Sequence, residues 1–209
     1  MLKLYYSPGS CALASHIALE EAGATYETTR LDFGKDEQRK PEYLKVNPKG
    51  RVPVLATDEG IITETPAILA YIAQSFPASN LAPVNDPFAF ARVQAFTSYL
   101  CSTVHVAHAH NRRGYRWADD PAALDAMKKK VPQSVGAAYA LIEDGMLAGP
   151  WVMGETYTIC DPYLFTVSNW LAGDSVDLSK LTRVMDHNKR VAERPAVKRA
   201  IAQETGAKA

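Results

Sequence analysis

The chain has 209 residues, 47% of them hydrophobic, with 23 basic and 23 acidic side chains. That is enough apolar chain for one large or two modest cores, and a zero net charge offers no bulk attraction to nucleic acid or to an anionic membrane, so partners are expected to be small or neutral. Three cysteines fall short of a disulfide scaffold, no apolar run approaches membrane-spanning length, and Met1–Tyr6 meets Ser7-Pro8-Gly9 too soon for a secretory signal; a reducing cytoplasm is the expected setting.

Leu2–Tyr6 reads as a short strand, and Ser7-Pro8-Gly9-Ser10 as a turn into a helix carrying Leu13, Ile17 and Ala18. Cys11 falls in the first turn of that helix. The helix dipole and nearby N–H donors there favour a reactive thiolate; the alternative is a small buried cysteine that only packs. Tyr26–Leu31 is predicted to be a second strand.

The run Asn47-Pro48-Lys49-Gly50-Arg51-Val52-Pro53-Val54-Leu55 predicts a turn followed by a strand that Pro53 opens. Val52 is then left outside the sheet with its N–H and C=O free, and an extended ligand can pair with it as an added strand. A cis Val52–Pro53 bond would fix that exposure. Glu64-Thr65-Pro66 predicts a helix start, with Thr65 as N-cap, Pro66 as the first helical residue, and Ile68, Tyr71, Ile72 and Phe76 on one face. Its unpaired N–H groups suit a carboxylate, the Thr65 hydroxyl adds a donor, and Glu64 can take an ammonium. Together these segments describe a site built largely from backbone, shaped for a short peptide carrying a carboxylate.

The composition shifts at Pro77–Pro87, where turn formers cluster. The boundary is placed there: an α/β unit over residues 1–78, a linker over 79–87, and an all-helical unit over 88–209, in which Phe88 to His110 and Ala122 to Leu147 have helical composition. His105 and His108 lie one turn apart, but His110 faces elsewhere and no acidic residue lies among them, so no metal is expected. Asn111-Arg112-Arg113-Gly114-Tyr115-Arg116-Trp117 interleaves arginines with aromatics. At zero net charge it reads as a solvated helix end rather than an RNA site, or else Tyr115 and Trp117, with Trp170, wall a pocket for an apolar electrophile. Thr158-Ile159-Cys160-Asp161 fits a capping box. Pro162, taken as the fourth helical residue, cannot donate to the Thr158 carbonyl and is expected to tilt or weaken that helix start. Cys101 and Cys160 are expected in the core.

Strand, turn, Cys11 helix, strand, Val-Pro hairpin and Glu-Thr helix is the order of a thioredoxin-like domain. With Leu4-Tyr5-Tyr6-Ser7-Pro8-Gly9-Ser10-Cys11, the run Asn47 to Pro53, Glu64-Thr65, and Tyr157-Thr158-Ile159-Cys160-Asp161-Pro162-Tyr163-Leu164-Phe165 in sequence, the chain resembles the cytosolic glutathione transferases, most closely their bacterial beta class, over essentially its whole length. The resemblance implies an α/β thioredoxin-like N-terminal domain that binds glutathione, an all-α C-terminal domain with the second-substrate pocket, and a homodimer with glutathione as co-substrate and no metal. It also implies glutathione contacts from Cys11, Lys35, Val52, Pro53, Glu64, Thr65, Ser98, Ser102, Thr103 and His105. In that scheme His105 points at the glutathione sulfur, Lys35 lies near the position of a lysine that reaches the glycyl carboxylate, and His108 lines the second pocket beside Tyr115, Trp117 and Trp170.

A free thiol is only about 3% thiolate at pH 7, so the enzyme must activate it. Cys11 and His105 are the candidates. Conjugation of the glutathione thiol to hydrophobic electrophiles is the expected reaction, with Cys11 protonated as a weak donor. The alternative is a thiol-disulfide oxidoreductase or peroxidase in which Cys11 is the nucleophile, becomes glutathionylated and is released by a second glutathione. A non-catalytic module on the same fold is a third possibility.

Overall fold

Apolar residues at alternate positions of Leu2–Tyr6 put Leu4 and Tyr6 on the buried side of a strand, β1. The computed structural model describes residues 1–206. Its first part runs β1 (Leu2–Tyr6), α1 (Ala12–Glu21), β2 (Tyr26–Arg30), α2 (Pro41–Leu44), β3 (Val54–Ala56), β4 (Ile61–Thr63) and α3 (Thr65–Ser75). The four strands are ordered β2-β1-β3-β4. β1 lies parallel to β2, with Leu4 opposite Thr28, and antiparallel to β3, with Leu4 opposite Leu55; β4 closes the sheet against β3. A parallel β1–β2 pair needs a crossover, and α1 supplies it.

The rest is α4 (Pro87–Tyr99), α5 (His105–Arg112), α6 (Pro121–Leu141), α7 (Cys160–Ser168), α8 (Thr182–Ala192) and α9 (Pro195–Thr205). Asp86 and Asp120 cap α4 and α6 through their carboxyl oxygens. α4 and α5 form one rod joined by a single π-type turn at Leu100–Val104. Every strand precedes residue 64; beyond Pro87 the described residues form helices, turns and one isolated bridge, Trp151–Gly154. The expected α/β and helical halves are thus observed, except that residues 207–209 lie outside the described residues. Among the described residues no helix is long and apolar enough to cross a membrane.

α1 is buried from Ala12 to Leu19 without a polar stripe, because α3, α7 and α9 all pack against it. The seam to α9 is polar: His16 Nδ1 and Nε2 meet Glu204 Oε1 at 3.2 Å and Gln203 Oε1 at 2.8 Å. Arg194 forks onto Glu21 at 2.5 and 2.8 Å, and Arg199 reaches Glu20 at 2.6 Å.

Ahead of α7 the Thr158 N–H donates to Asp161 Oδ2 at 2.6 Å and the Cys160 N–H donates to the Thr158 hydroxyl at 3.3 Å, the bonds expected of the box, but Ile159 rather than Thr158 takes the cap position. Pro162 does not weaken this helix start. The helix starts at Cys160, so Pro162 is its third residue, where an N–H would have no intrahelical partner. The Thr158 carbonyl takes its bond from the Asp161 N–H at 3.0 Å instead. Cys160 is fully buried and Cys101 only partly.

Candidate active site

The turn before β3 is held from behind. The Arg51 carbonyl accepts from the Tyr43 hydroxyl at 2.6 Å and from the Asn47 amide at 2.8 Å, and Asn47, almost wholly buried, also accepts from the Lys49 N–H. Gly50 sits at φ +60°, and a Cβ there would come within 3.0 Å of the Gln38 carbonyl oxygen, so this corner needs glycine on both counts. The Val52–Pro53 peptide is cis. The Val52 N–H has no partner among the described residues, as expected, but its carbonyl is engaged: the Cys11 thiol donates to it at 3.5 Å.

Of the two readings of Cys11, the structure favours the buried thiol over a thiolate stabilised by its helix. Burial pushes its thiol above the ordinary value and outweighs the pulls of the neighbouring Thr65 hydroxyl and the Arg113 guanidinium toward ionisation. Two donors of the first turn are already committed, Ala12 N–H to the Ser10 hydroxyl and Leu13 N–H to the Ser10 carbonyl, and the pull of Cys11's own N–H is the smallest of those acting on the thiol. Cys11 is therefore an S–H group at neutral pH. A neutral S–H can sit beside another sulfur's negative charge and donate to it, without the repulsion that two thiolates would suffer.

Thr65 is not the cap of α3. It is the first helical residue, and Glu64 takes the cap position at φ 71° and ψ 124°, an unusual backbone for a residue with a side chain. That geometry turns the buried Thr65 hydroxyl toward Cys11 and toward Tyr163, whose hydroxyl faces the thiol of Cys101. Burial holds Tyr163 well above the ordinary phenol range. The Glu64 carboxylate carries the Lys49 ammonium at 2.5 Å, and the same ammonium donates to the Thr63 hydroxyl at 2.7 Å.

From the helical half, His105 reaches the same cleft at the end of the π-type turn, a feature common at functional sites. Burial lowers its pKa to about 3, and Arg113, His108, Arg116 and Arg51 add to the effect. His105 is thus a neutral imidazole, able to offer a dipolar N–H rather than a positive charge. Two pH effects are expected. The dependence of kcat/KM on pH should show no inflection from His105 near 6.5, and His105→Asn should leave the curve's shape unchanged. The unfolded chain takes up this proton near pH 6.5 and the folded chain only near 3, so the fold loses stability as pH falls through that window. Thermal melts across it should show a shallower acid loss in His105→Asn.

His108 is locked by Asp174 at 2.7 Å and stacked on Trp170 with ring centroids 4.4 Å apart. Asn111 holds the other Asp174 oxygen at 2.9 Å. The Trp170 indole N–H donates to the Gly9 carbonyl at 3.0 Å, tying the helical half to the loop that carries Cys11. At the opposite lip Arg39 donates to the Tyr115 hydroxyl at 3.2 Å, and Trp117 stands edge-on to His110.

These groups open on one cleft of 680 Å³. It is lined by Cys11, Val52, Pro53, Glu64, Thr65, His105, His108, Tyr115, Trp117 and Trp170 from the sequence-based set. It is not lined by Lys35, which is exposed with its ammonium 3.6 Å from Asp32, nor by Ser98, Ser102 and Thr103, which are exposed elsewhere on the α4–α5 rod. The sequence gives no site role to Tyr43, Asn47, Tyr163 or Arg113, although the last three fall in the runs from Asn47 to Pro53, Tyr157 to Phe165 and Asn111 to Trp117. Only Asn47 had a local signal, standing before the Pro48 turn. Among the described residues no group of three or more His, Cys, Asp or Glu is placed to hold a metal ion.

Residues 1–74 match the family described as glutathione S-transferase, N-terminal domain. The chain is 32% identical over 206 residues to glutathione S-transferase GstA of Escherichia coli O157:H7, covering 97% of this chain and 98% of that one. A glutathione transferase homologue from Sulfitobacter, solved with bound glutathione, superposes with a TM-score of 0.93 at 42% identity, covering 100% of this chain and 99% of that one. A beta class glutathione S-transferase from Sphingomonas chungbukensis superposes with a TM-score of 0.84 at 32% identity, with 97% and 98% coverage. A thiol, a backbone turn and a helix start converging on one cleft, in a fold shared end to end with these proteins, make the chain a member of the glutathione S-transferase family.

Proposed function

We propose that the chain activates the thiol of glutathione and transfers it to an electrophilic carbon of a small hydrophobic compound. The γ-glutamyl carboxylate sits at the start of α3, where the unpaired N–H groups and the Thr65 hydroxyl are donors, and Glu64 exchanges Lys49 for the γ-glutamyl ammonium. The cysteinyl unit pairs with the backbone of Val52 beside Pro53. Its sulfur then lies by Cys11 and His105; the Cys11 S–H turns to it from the Val52 carbonyl, and the His105 N–H donates as well. The glutathione proton leaves to solvent, the sulfur forms a C–S bond, and the leaving group departs with the electron pair of the bond that breaks. The observation that carries this reading is the shared cleft: the Val52 edge, the α3 start and the Cys11 thiol open on the same space as Trp170, His108, Tyr115 and Trp117.

Arg51 already lines the cleft and is better placed for the glycyl carboxylate than Lys35, which must first leave Asp32. Ser98, Ser102 and Thr103, exposed on the rod, are assigned to the face that meets a second copy of the chain, where Ser102 and Thr103 approach that copy's glutathione; light scattering at micromolar protein should give twice the chain mass. A reducing cytoplasm suits three free cysteines.

Titration calorimetry with glutathione tests the proposal, and no heat of binding would refute it. Tyr43→Phe removes one of the two bonds that hold the Arg51 carbonyl. It is expected to weaken binding about five-fold, from the loss of ~1 kcal/mol. Val52→Ala keeps the backbone and should change binding little.

A further inference from the structure

The charge of the cleft is unlike that of the chain. The protein as a whole is neutral, yet five arginines line this one space: Arg39, Arg51, Arg112, Arg113 and Arg116. Its two acidic side chains are both occupied, Glu64 by Lys49, and Asp174 by His108 and Asn111. Among the described residues Arg51, Arg112, Arg113 and Arg116 have no carboxylate partner. Like charges gathered in a partly desolvated cleft repel one another, an arrangement that an anionic ligand relieves. The repulsion is felt locally: Arg51 and Arg113 both disfavour the charged form of Arg116, and all three disfavour that of His105.

Glutathione accounts for part of this. Its γ-glutamyl carboxylate goes to the α3 start and its glycyl carboxylate to Arg51, on the thioredoxin-like half. Of the other four, Arg39 is paired with Asp36 and Arg112 ends α5, which leaves Arg113 and Arg116. They sit on the segment after α5, beside Tyr115 and Trp117, on the half that holds the other substrate. We propose that this second substrate is an aromatic electrophile carrying a carboxylate, its ring against the aromatic wall and its acid group held by Arg113 and Arg116. This rests on the transferase reading above and replaces a merely hydrophobic partner with an amphiphilic one. Planar guanidinium groups take a carboxylate through paired N–H donors, a contact that a neutral isostere cannot reproduce.

The test uses unreactive probes and the whole chain. Calorimetry compares nitrobenzoate with nitrobenzamide, each with and without saturating S-methylglutathione, and glutathione binding is measured separately. The acid is expected to bind about ten-fold more tightly than the amide, with the gap narrowing at high salt. Arg113→Gln and Arg116→Gln should each bring the ratio toward one, and Arg113→Lys should restore part of it. Equal binding of the two probes, or a preference that survives in both Gln variants, overturns the proposal. Glutathione binding without the acid preference likewise overturns it and leaves the transferase reading standing. The acid preference without glutathione binding supports an anion site at these arginines and overturns the transferase reading.

Discussion

Asp161→Ala is expected to remove about 3–5 kcal/mol of folding stability and to lower the melting temperature by roughly 10 °C. The Asp161 carboxyl is fully buried and serves four donors from three parts of the chain: the Val152 N–H at 2.8 Å, the Thr158 N–H at 2.6 Å, the Thr158 hydroxyl at 3.3 Å and His187 Nε2 at 2.9 Å. Truncation strands all four where water cannot replace the lost acceptor, and removes the box that starts α7, a helix buried along its whole length. Thr158→Ala deletes only the hydroxyl and should cost about 1 kcal/mol. Urea unfolding of both variants checks the pair. A loss under ~1 kcal/mol for Asp161→Ala would mean that the carboxyl is not the hub its contacts describe.

Cys11→Ala should divide the two chemistries available to the site. In conjugation Cys11 contributes one neutral S–H donor, worth about 1 kcal/mol, so turnover of a chloronitrobenzene with glutathione should fall only about five-fold. In disulfide exchange Cys11 would be the attacking atom, so glutathione-dependent reduction of a mixed disulfide should fall to the uncatalysed rate. The buried, protonated thiol favours the first chemistry, because exchange requires the thiolate. Both assays on one variant, with intact mass measured after exposure of the native protein to oxidised glutathione, decide the matter. A comparable collapse of both activities would contradict the assignment of Cys11 as a donor.

What could be read from the sequence was what depends on near neighbours. Pro48, Gly50 and Pro53 mark the turn before β3 because they restrict the backbone wherever they stand, and Thr158 and Asp161 announce a helix start because their bonds span three residues. The misreadings involve distance or exact register. A one-residue shift moved Thr65 from cap to first helical residue and passed the strained position to Glu64. A similar shift placed Pro162 where it does no harm. For Cys11 the helix start points to a thiolate and the conjugating reaction to a protonated donor, and the burial that favours the second is imposed by elements that arrive later in the chain. The Tyr43 and Asn47 clamp on a backbone carbonyl leaves no pattern in composition. The arginine cluster joins Arg51 to Arg113 and Arg116 only once the two halves have packed.

The seam between α1 and α9 has a consequence for how the protein is made. The contact of His16 with Glu204 spans 188 residues of chain. At a synthesis rate of ~5–20 residues per second, roughly 10–40 s pass between the emergence of the first helix from the ribosome and that of the segment which covers its outer face. For most of that interval α7 is missing as well, so the apolar side of α1 that α7 covers stands open to the surrounding medium, and this half is the part to which a chaperone would be expected to bind first.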